Sequence, residues 1–568
     1  MHIDTVPNRG SRPAYLLRES IREGTRVYKR TLANLSSLSD EQITALRAVL
    51  RGEQLAPVAQ RFEVVGSLAH GHVQAVRVAM YQLGFSALLH TRDSPERDLV
   101  CAMVAARVLC PHTKLATTRW WHASTLAQEF EVSDASEDDL YGAMDWLLAR
   151  QGAIEKKLAA RHLHHNGLVL YDLSSSYFEG QSCPLARFGH SRDGKPGKLQ
   201  VNYGLVSAPG GCPVAVSVYE GNTADAVTLL PQVQRVREQF GVERLVIVGD
   251  RGMISHKSIE TLRALHGVDW ITALKSVQIR TLLMDGALQL DLFDERNLLE
   301  LTHPDFPGER LVACRNPALA KLRAQRRQEL IQATIEALEK VRGSVMAKRL
   351  RKPEDIGVRV GRVVNRYKVA KHIELAIEQD RLEFRVREDS VAQEAALDGL
   401  YVLRTALAPN RMDAPEVVRS YKSLSDVERA FRSMKTVDLK VRPIHHRLAE
   451  RVRSHIFLCM LAYYVEWHMV QAWRGLLFAD EDQAAKRTRN PVAPAKRSES
   501  ALRKVHTRIL PDSTPVHSFQ TLLCELSTIV RNTCRVPATA QGDATFQVTT
   551  QPNSTQQRAL ALLKAIKV

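Results

Sequence analysis

The sequence lacks the features that identify several common classes of protein. It contains no continuous run of about 18 apolar residues, so no membrane-spanning helix is expected. Its opening segment, MHIDTVPNRGSRPAYLLRES, has no apolar stretch of the kind that secretory signals carry. Its eight cysteines include no C-x-x-C pair, which argues against a zinc ribbon and a disulfide framework. We therefore expect a cytoplasmic protein that has no membrane partner.

Motifs of nucleotide chemistry and of serine hydrolases are missing as well. There is no Walker A loop and no G-x-G-x-x-G fingerprint, which argues against ATP or NAD chemistry. The serine run at 174–176 has no G-x-S-x-G elbow around it, so a serine nucleophile is not supported. His162, His164 and His165 are irregularly spaced and have no partner cysteine nearby, which disfavours a metal site there.

Positive charge is abundant. Lys and Arg number 79 against 62 acidic residues, which gives a net charge of +17 and a pI near 9.6. Such an excess favours a polyanionic partner such as a nucleic acid, because each neutralised phosphate releases counterions. Hydrophobic residues make up 45% and charged residues 25% of the chain, as in ordinary globular proteins. The 568 residues are too many for one core, so several domains are expected.

Hydrophobic periodicity divides the chain into regions of different character. The predicted regions are an N-terminal hairpin and helix region (1–66), a helical region that serves either DNA binding or packing (67–165), an α/β core in two parts (166–275 and 396–470), an inserted α+β domain (276–395), and a linker with a C-terminal region (471–568).

Three local predictions accompany this division. The first hairpin turns at Glu23 and Gly24, and a helix follows over about 36–66. The insertion carries β-like pieces around 279–303 before a long charged helix. The charged segment 480–505 is typical of a solvated linker.

The α/β core has a distinctive order of elements. Three β-rich runs are followed by a helix, a strand, a second helix and a fifth strand, at 168–173, 199–207, 213–219, 225–240, 245–249, 255–265 and 270–274. The second and third runs bracket APGGC, which predicts a hairpin turn. This order predicts a mixed sheet that is compatible with a ribonuclease-H-like core.

Two aspartates are placed where catalytic groups often collect. Asp172 and Asp250 each end an apolar strand, and loops at strand carboxyl ends diverge into a crevice. The glycines on either side of the Asp250-Arg251 pair allow close backbone approach, and Arg251 is suited to a phosphate. Each aspartate, taken alone, is also explained as a cap of a loop or helix.

The third acidic candidate is Glu428. Ser425 and Glu428 have the spacing of a capping box, and Glu428 and Arg432 have that of an i,i+4 ion pair. Alternatively, Tyr421, Glu428 and Lys435 are seven residues apart and share one face of a continuous helix. The structural and the functional interpretation are compatible with each other.

Three carboxylates from two strands and a helix are suited to two hard cations. Oxygen ligands favour Mg²⁺ or Mn²⁺ over zinc. Two such ions about 3.5–4 Å apart would stabilise the attacking and leaving oxygens of an in-line phosphoryl displacement.

Several motifs occur together in the order found in one family. They are YDLSSSYFEG, FGHSRDGKPGKLQVNYGLV, VYEGNTAD, VIVGDRGMIS, WITALK, DGLYVLRT and SDVERAFRSMKTVDLKVRPIHHRLAERVRSHI. In these motifs the chain resembles bacterial insertion-sequence transposases of the IS1634 group, within the IS4-like DDE class. The resemblance implies a ribonuclease-H-like core with an insertion and a catalytic, metal-binding triad of Asp172, Asp250 and Glu428.

The resemblance also implies an activity. The expected reaction is metal-dependent strand cleavage and strand transfer of an insertion sequence, with two Mg²⁺ or Mn²⁺ ions. The implied partner is double-stranded DNA, both element ends and target, bound by a homodimer in the bacterial cytoplasm and nucleoid. The alternatives are a metal-dependent nuclease of the same fold and a non-catalytic DNA-binding descendant.

IS4-like proteins carry a Y-x2-R-x3-E-x6-K signature, which this chain matches in part. Tyr421, Glu428 and Lys435 match, and Leu424 stands at the arginine position. The resemblance therefore implies DNA contacts for Tyr421 and Lys435.

The arginine that the signature lacks has two possible replacements nearby. We expect its phosphate contact to pass to Arg432 or Arg429, and Arg251 is a further expected DNA contact.

Overall fold

The computed structural model describes residues 1–53, 62–379, 381–535 and 545–568. The strands are, in chain order, β1 (His2–Asn8), β2 (Ser11–Glu23), β3 (Arg26–Asn34), β4 (Glu63–Ala69), β5 (Gly167–Tyr177), β6 (Gln200–Ser207), β7 (Pro213–Glu220), β8 (Leu245–Val248), β9 (Val268–Ala273), β10 (Leu298–Leu301), β11 (Arg310–Arg315), β12 (Ile373–Glu378), β13 (Arg381–Val386), β14 (Leu400–Thr405), β15 (Val530–Arg535) and β16 (Thr545–Thr549).

The α-helices are, in chain order, α1 (Asp40–Leu50), α2 (Gly71–Gln82), α3 (Phe85–Leu89), α4 (Pro95–Leu109), α5 (Lys114–Trp120), α6 (Leu126–Glu129), α7 (Glu137–Leu148), α8 (Gln151–His162), α9 (Asp225–Glu238), α10 (His256–Ala264), α11 (Ser276–Met284), α12 (Pro317–Met346), α13 (Pro353–Tyr367), α14 (Glu388–Ala395), α15 (Ala414–Lys422), α16 (Leu424–Arg432), α17 (Ala449–Ala472), α18 (Gln483–Thr488), α19 (Glu499–Thr507), α20 (Phe519–Ser527) and α21 (Ser554–Lys564).

The smaller of two structural units contains Met1–Leu68 and Val530–Gln551. Strands β1, β2 and β3 form an antiparallel sheet, and Gly24 turns the predicted hairpin with a φ of +63°. That prediction is confirmed. A positive φ suits glycine because it has no Cβ. Strands β4, β15 and β16 form a second sheet in this unit.

The helix predicted over about 36–66 is shorter in the structure. It is confined to α1, where Ser39 caps the first turn and forms a capping box with Gln42. Residues 54–61 lie outside the described residues, and β4 begins at Glu63. The end of the predicted helix is therefore wrong, because the apolar pattern after Glu63 belongs to a strand.

The larger unit is built on an eight-stranded sheet with the order β10-β11-β14-β9-β8-β5-β6-β7. Strand β8 is parallel to β5 and to β9, whereas β5, β6 and β7 form an antiparallel meander. The turn between β6 and β7 falls on the predicted APGGC segment. The order β7-β6-β5-β8-β9 is that of a ribonuclease-H-like core, which confirms the predicted fold class.

The region predicted as an insertion contributes to this sheet. Strand β14, from the second part of the predicted core, pairs with β9. Strands β11 and β10, from the predicted insertion, continue the sheet beyond β14, and all these pairings are antiparallel. Helix α11 occupies the first part of the segment 279–303, which the sequence indicated as β-like. Helices α12 and α13 pack with the β12–β13 hairpin around a core of their own, which includes Leu338, Ile356 and Val360.

Helix α17 is the central helix of the larger unit. It packs against α4, α7 and β7, and most of its 24 residues are buried. None of the described helices is by itself long and apolar enough to span a membrane; only Pro95–Leu109 and Lys114–Ala123, bent by 86°, would meet that test as a pair.

The segment 480–505, expected as a solvated linker, is packed within the larger unit. It contains α18 and the start of α19, and Val492 is 1% exposed. Asn316 donates a hydrogen bond of 2.9 Å from Nδ2 to the Val492 carbonyl. The buried ammonium of Lys504 donates to the carbonyls of Leu477 and Arg474, each at 3.1 Å. Because the segment is rich in charged residues, its sequence did not indicate that Val492 and Lys504 are buried.

Candidate active site

Asp172 and Asp250 come from neighbouring parallel strands. The pairing of β5 with β8 ends at Leu170 and Val248, and each aspartate follows its strand's last paired residue by two positions. Because the strands are parallel, both side chains lie at the same edge of the sheet. Asp172 does not end its strand as predicted, since β5 continues to Tyr177 along β6.

The backbone after β8 holds the Asp250 carboxylate in place. Oδ1 of Asp250 accepts hydrogen bonds from the Gly252 amide at 3.0 Å and the Met253 amide at 2.8 Å. A Cβ at Gly249 would lie 3.1 Å from Ile254, so glycine allows the tight packing of this turn. The turn therefore fixes the orientation of the Asp250 carboxylate.

Helix α16 brings Glu428 to the same region. Its buried residues Val427, Ala430 and Phe431 face the core, and the helix packs against β5. The Phe431 ring meets Tyr203 edge-on, with 5.7 Å between ring centroids. Glu428 itself lies on the exposed side of α16.

The local interactions predicted for Glu428 are absent. Helix α16 follows α15 with only Ser423 between them, so Ser425 lies inside α16 and forms no capping box. Arg429 pairs with Asp426 at 3.2 Å, and no ion pair within the described ranges joins Glu428 to Arg432. Within the described structure, the Glu428 carboxylate therefore neither caps α16 nor pairs with Arg432.

The charges of Asp250 and Glu428 both act on the Asp172 carboxyl. The pKa of Asp172 is raised to about 7, mainly by burial. The negative charges of Asp250 and Glu428 contribute to this rise, whereas the hydrogen bond from the Leu173 amide and the charge of Arg192 oppose it. Both acids are therefore near enough to Asp172 for their charges to affect it. We call Asp172, Asp250 and Glu428 the acidic cluster.

Tyr421 lies beside the acidic cluster. Burial raises the pKa of its phenol, and the charges of all three acids raise it as well, whereas Arg251 lowers it. Tyr421 and Arg251 also line a cavity of about 360 Å³, together with Arg323 and Tyr401. Tyr421 thus lies near Glu428, as the seven-residue spacing suggests. The two residues belong to the consecutive helices α15 and α16 and not to one continuous helix.

Lys435 occupies a different environment from these residues. It lies in a π-helical turn, Ser433–Val437, and its Nζ donates to Oδ1 of Asp193 at 2.9 Å. Arg442 pairs with the same carboxylate, and the Tyr177 amide donates to its other oxygen at 3.1 Å. Lys435 is 8% exposed. The lysine of the signature therefore forms a buried ion pair that stabilises the fold.

Leu424, at the signature's arginine position, packs against the hydrophobic core. Its two expected replacements, Arg429 and Arg432, are both exposed, but Arg429 is paired with Asp426. Arg251 is exposed as well. Arg432 and Arg251 are therefore the better placed of the expected phosphate contacts.

Comparisons with known proteins bear on this arrangement. A family model described as a transposase DDE domain matches residues 186–465, and one described as an IS1634 family transposase N-terminal domain matches residues 3–58. The chain belongs to the IS1634 group of DDE transposases. The DDE match includes Asp250 and Glu428 and begins after Asp172. Enzymes with this domain generally use divalent metal.

The other comparisons add little to the family assignment. No curated protein matches the transposase. Among solved structures, it is similar to a piggyBac transposase in a synaptic complex with hairpin DNA, at 8% identity and a TM-score of 0.33. That alignment covers 83% of this chain and 84% of that one.

Sequence patterns did not single out Arg192 in the transposase. Its guanidinium donates to both carboxylate oxygens of Asp225, at 2.5 and 2.6 Å, and its positive charge lowers the pKa of Asp172. The Arg192 amide donates to Oγ of Ser175 at 3.0 Å. Ser175 thus supports the loop after β5. The only signal for Arg192 was its place within FGHSRDGKPGK.

A strongly basic cavity of about 850 Å³ lies near the start of α17. Among the described residues that line it none is Asp or Glu, whereas its basic residues are Arg107, Lys114, Lys440, Arg442, Arg447, Arg451, His112, His445, His446 and His455. Arg442 connects this basic cavity to the Asp193–Lys435 pair.

Two of the residues in the basic cavity are buried without a compensating acid. Lys114 is 5% exposed, and burial, together with the charge of Arg107, lowers its pKa to about 7. Nδ1 of His455 is buried and has no hydrogen-bond partner within the described part of the chain. Burial lowers the pKa of His455 as well, so the buried positive charge in question is that of Lys114, which is costly without an acidic partner. A phosphate group in the cavity would offset that cost.

Proposed function

We propose that the transposase cleaves the DNA strands at the ends of an insertion sequence and joins the freed ends to target DNA. Asp172, Asp250 and Glu428 are the proposed catalytic residues and metal ligands. The observation that carries the proposal is the position of Asp172 and Asp250 at the ends of neighbouring parallel strands, with α16, which carries Glu428, packed against β5. The effect of Asp250 and Glu428 on the pKa of Asp172 supports it.

The acidic cluster fits two Mg²⁺ or Mn²⁺ ions. It offers only carboxylate oxygens, which are the ligands that these hard cations prefer. Its mutual repulsion is the kind that bound cations relieve. When bound, two such ions would stabilise the attacking and leaving oxygens of a phosphoryl displacement.

The residues around the cluster orient its acids. The amides of Gly252 and Met253 engage one oxygen of Asp250 and leave the other for a ligand. Asp172 is held within a paired strand, and Glu428 projects from a helix whose buried face fixes its position. Preorganised ligands of this kind reduce the rearrangement that binding requires.

The same face is suited to DNA. Tyr421, Arg251 and Arg432 flank the acidic cluster in our proposal and contact the backbone near the scissile phosphate. The basic cavity would receive further phosphates, because none of the described residues that line it is acidic. A net charge of +17 supports a polyanionic partner in general. We infer a homodimer on DNA in the bacterial cytoplasm, since two element ends must be processed together.

The test of this function compares reaction products. Linear DNA carrying both element ends is incubated with a plasmid target and either Mg²⁺ or a chelator. We expect cleavage at the ends and joined strands in the target, both dependent on Mg²⁺. Cleavage without joined strands would identify a nuclease of the same fold, and DNA binding without either product would identify a non-catalytic descendant.

A further inference from the structure

Three potential metal ligands come together in the larger unit from distant parts of the chain. His162 lies at the end of α8, Cys212 in the turn between β6 and β7, and His468 on α17. Their ligand atoms all lie within 4.8 Å of one another. Tyr464, one turn before His468, places its hydroxyl 3.0 Å from Nε2 of His162.

These side chains are largely buried, and one of their ring nitrogens lacks a hydrogen-bond partner among the described residues. Cys212 is 2% exposed and His468 is 7% exposed. Nε2 of His468 is buried, and no hydrogen-bond partner for it exists among the described residues. Buried polar atoms are nearly always bonded, and one left without a partner is costly. His162 is only half-buried, which leaves a route from solvent.

We propose that His162, Cys212 and His468 bind one Zn²⁺ ion, at a site separate from the acidic cluster. Two imidazole nitrogens and a thiolate are ligands that Zn²⁺ accepts in a tetrahedral site, with water or the Tyr464 hydroxyl completing the coordination. Binding releases the thiol proton of Cys212 to solvent.

The required rearrangement is small. In a tetrahedral zinc site neighbouring ligand atoms are about 3.5 Å apart, so the present spacing of up to 4.8 Å closes by side-chain rotation. The site is also distinct in position. Cys212 follows the end of β6, whereas Asp172 faces Leu205 within that strand.

The zinc site would support the helix that carries Glu428. Trp467 donates from Nε1 to the Gly210 carbonyl at 3.0 Å, which joins α17 to the β6–β7 turn. A Cβ added at Gly211 would lie only 3.0 Å from the Asp426 carbonyl, so this turn packs directly on α16. An ion that ties the turn to α8 and α17 therefore stabilises the surroundings of Glu428.

Metal content provides the direct test. The full-length protein is purified without chelator, supplied with Zn²⁺, dialysed and analysed by inductively coupled plasma mass spectrometry. We expect one zinc ion per chain in the wild type, and little or none in Cys212→Ser and His468→Gln. Cys524→Ser and His164→Ala, which change an exposed cysteine and an exposed histidine outside the cluster, should retain the ion.

A change in the acidic cluster separates this proposal from the catalytic one. Asp250→Asn should retain zinc while losing cleavage. Wild-type protein without zinc, zinc retained in both Cys212→Ser and His468→Gln, or zinc lost in Asp250→Asn would each overturn the proposal. These outcomes do not depend on transposition, so a failure of the proposed function would be recognised separately.

Two further measurements remain informative if a buried variant folds poorly. Removal of zinc should lower the melting temperature of the wild type by about 5 °C, and His162→Ala, at the half-buried position, should abolish that dependence. Co²⁺-loaded wild type should show a thiolate-to-cobalt charge-transfer band that His164→Ala keeps. A chelator-insensitive melting temperature with no such band would overturn the site.

Discussion

Lys435 donates a hydrogen bond of 2.9 Å to Asp193, whose side chain is 0% exposed. The two residues are 242 positions apart, and Arg442 shares the same carboxylate. A lysine that the family signature suggests for DNA binding is thus committed to a buried ion pair. Its substitution should affect folding before it affects DNA.

Lys435→Ala should lower the free energy of unfolding by about 2 kcal/mol, less than for an isolated buried pair because Arg442 still neutralises Asp193. Urea unfolding measures this change. The salt dependence of DNA binding should stay as in the wild type. The matched variant Arg432→Ala, at an exposed position, should show the reverse pattern, with unchanged stability and a shallower salt dependence. Equal effects of the two variants would contradict this assignment.

The basic cavity gives a prediction about affinity. Lys114→Met keeps the length of the side chain but removes the positive charge that Lys114 carries below a pH of about 7. At such a pH, DNA binding should weaken and log K should depend less steeply on log salt, with the magnitude of the slope smaller by about one. Binding is measured by fluorescence anisotropy over a range of salt concentrations. Lys156→Met, at an exposed position of α8, is the control. An unchanged slope in Lys114→Met would show that no phosphate enters the cavity.

The same substitution gives a prediction about pH. The pKa of Lys114 falls from 10.5 to about 7 in the folded protein, through burial and the charge of Arg107. Between pH 7 and 10.5 the unfolded chain binds the proton and the folded protein does not, so stability from this group rises with pH.

Lys114→Met should therefore melt at a higher temperature than the wild type at pH 7. This advantage should shrink as the pH rises towards 10.5. Differential scanning calorimetry at several pH values measures the difference between the two proteins without DNA. A difference in melting temperature that is constant with pH would contradict the lowered pKa of Lys114.

Local sequence patterns were sufficient for the central part of the fold. Each strand of the β5–β9 core is a short apolar run bounded by turn residues, and alternation within such runs depends only on near neighbours. The Asp250 turn was recognisable for the same reason, because glycines stand on either side of it. By contrast, Ser425 was misread as a cap, since α15 and α16 are almost continuous and its helix had already begun.

The parts of the site that were missed depend on contacts between distant residues. Asp193 meets Lys435 across 242 positions, and the imidazole of His162 meets Cys212 and His468 only after α8 and α17 have packed against the sheet. The sequence offered no cysteine near His162, so a metal site there was discounted. Periodicity reports which face of an element is buried but not which distant side chain meets it.

Glu428→Gln tests the central claim most directly, because it removes one charge from the acidic cluster and leaves the size of the side chain unchanged. The rate of Mg²⁺-dependent cleavage of element-end DNA is measured for this variant and for Glu450→Gln, an exposed acid at the start of α17. We predict that Glu428→Gln binds DNA normally but cleaves at least about a thousandfold more slowly, and that Glu450→Gln cleaves like the wild type. Cleavage by Glu428→Gln at the wild-type rate would contradict the assignment of the acidic cluster.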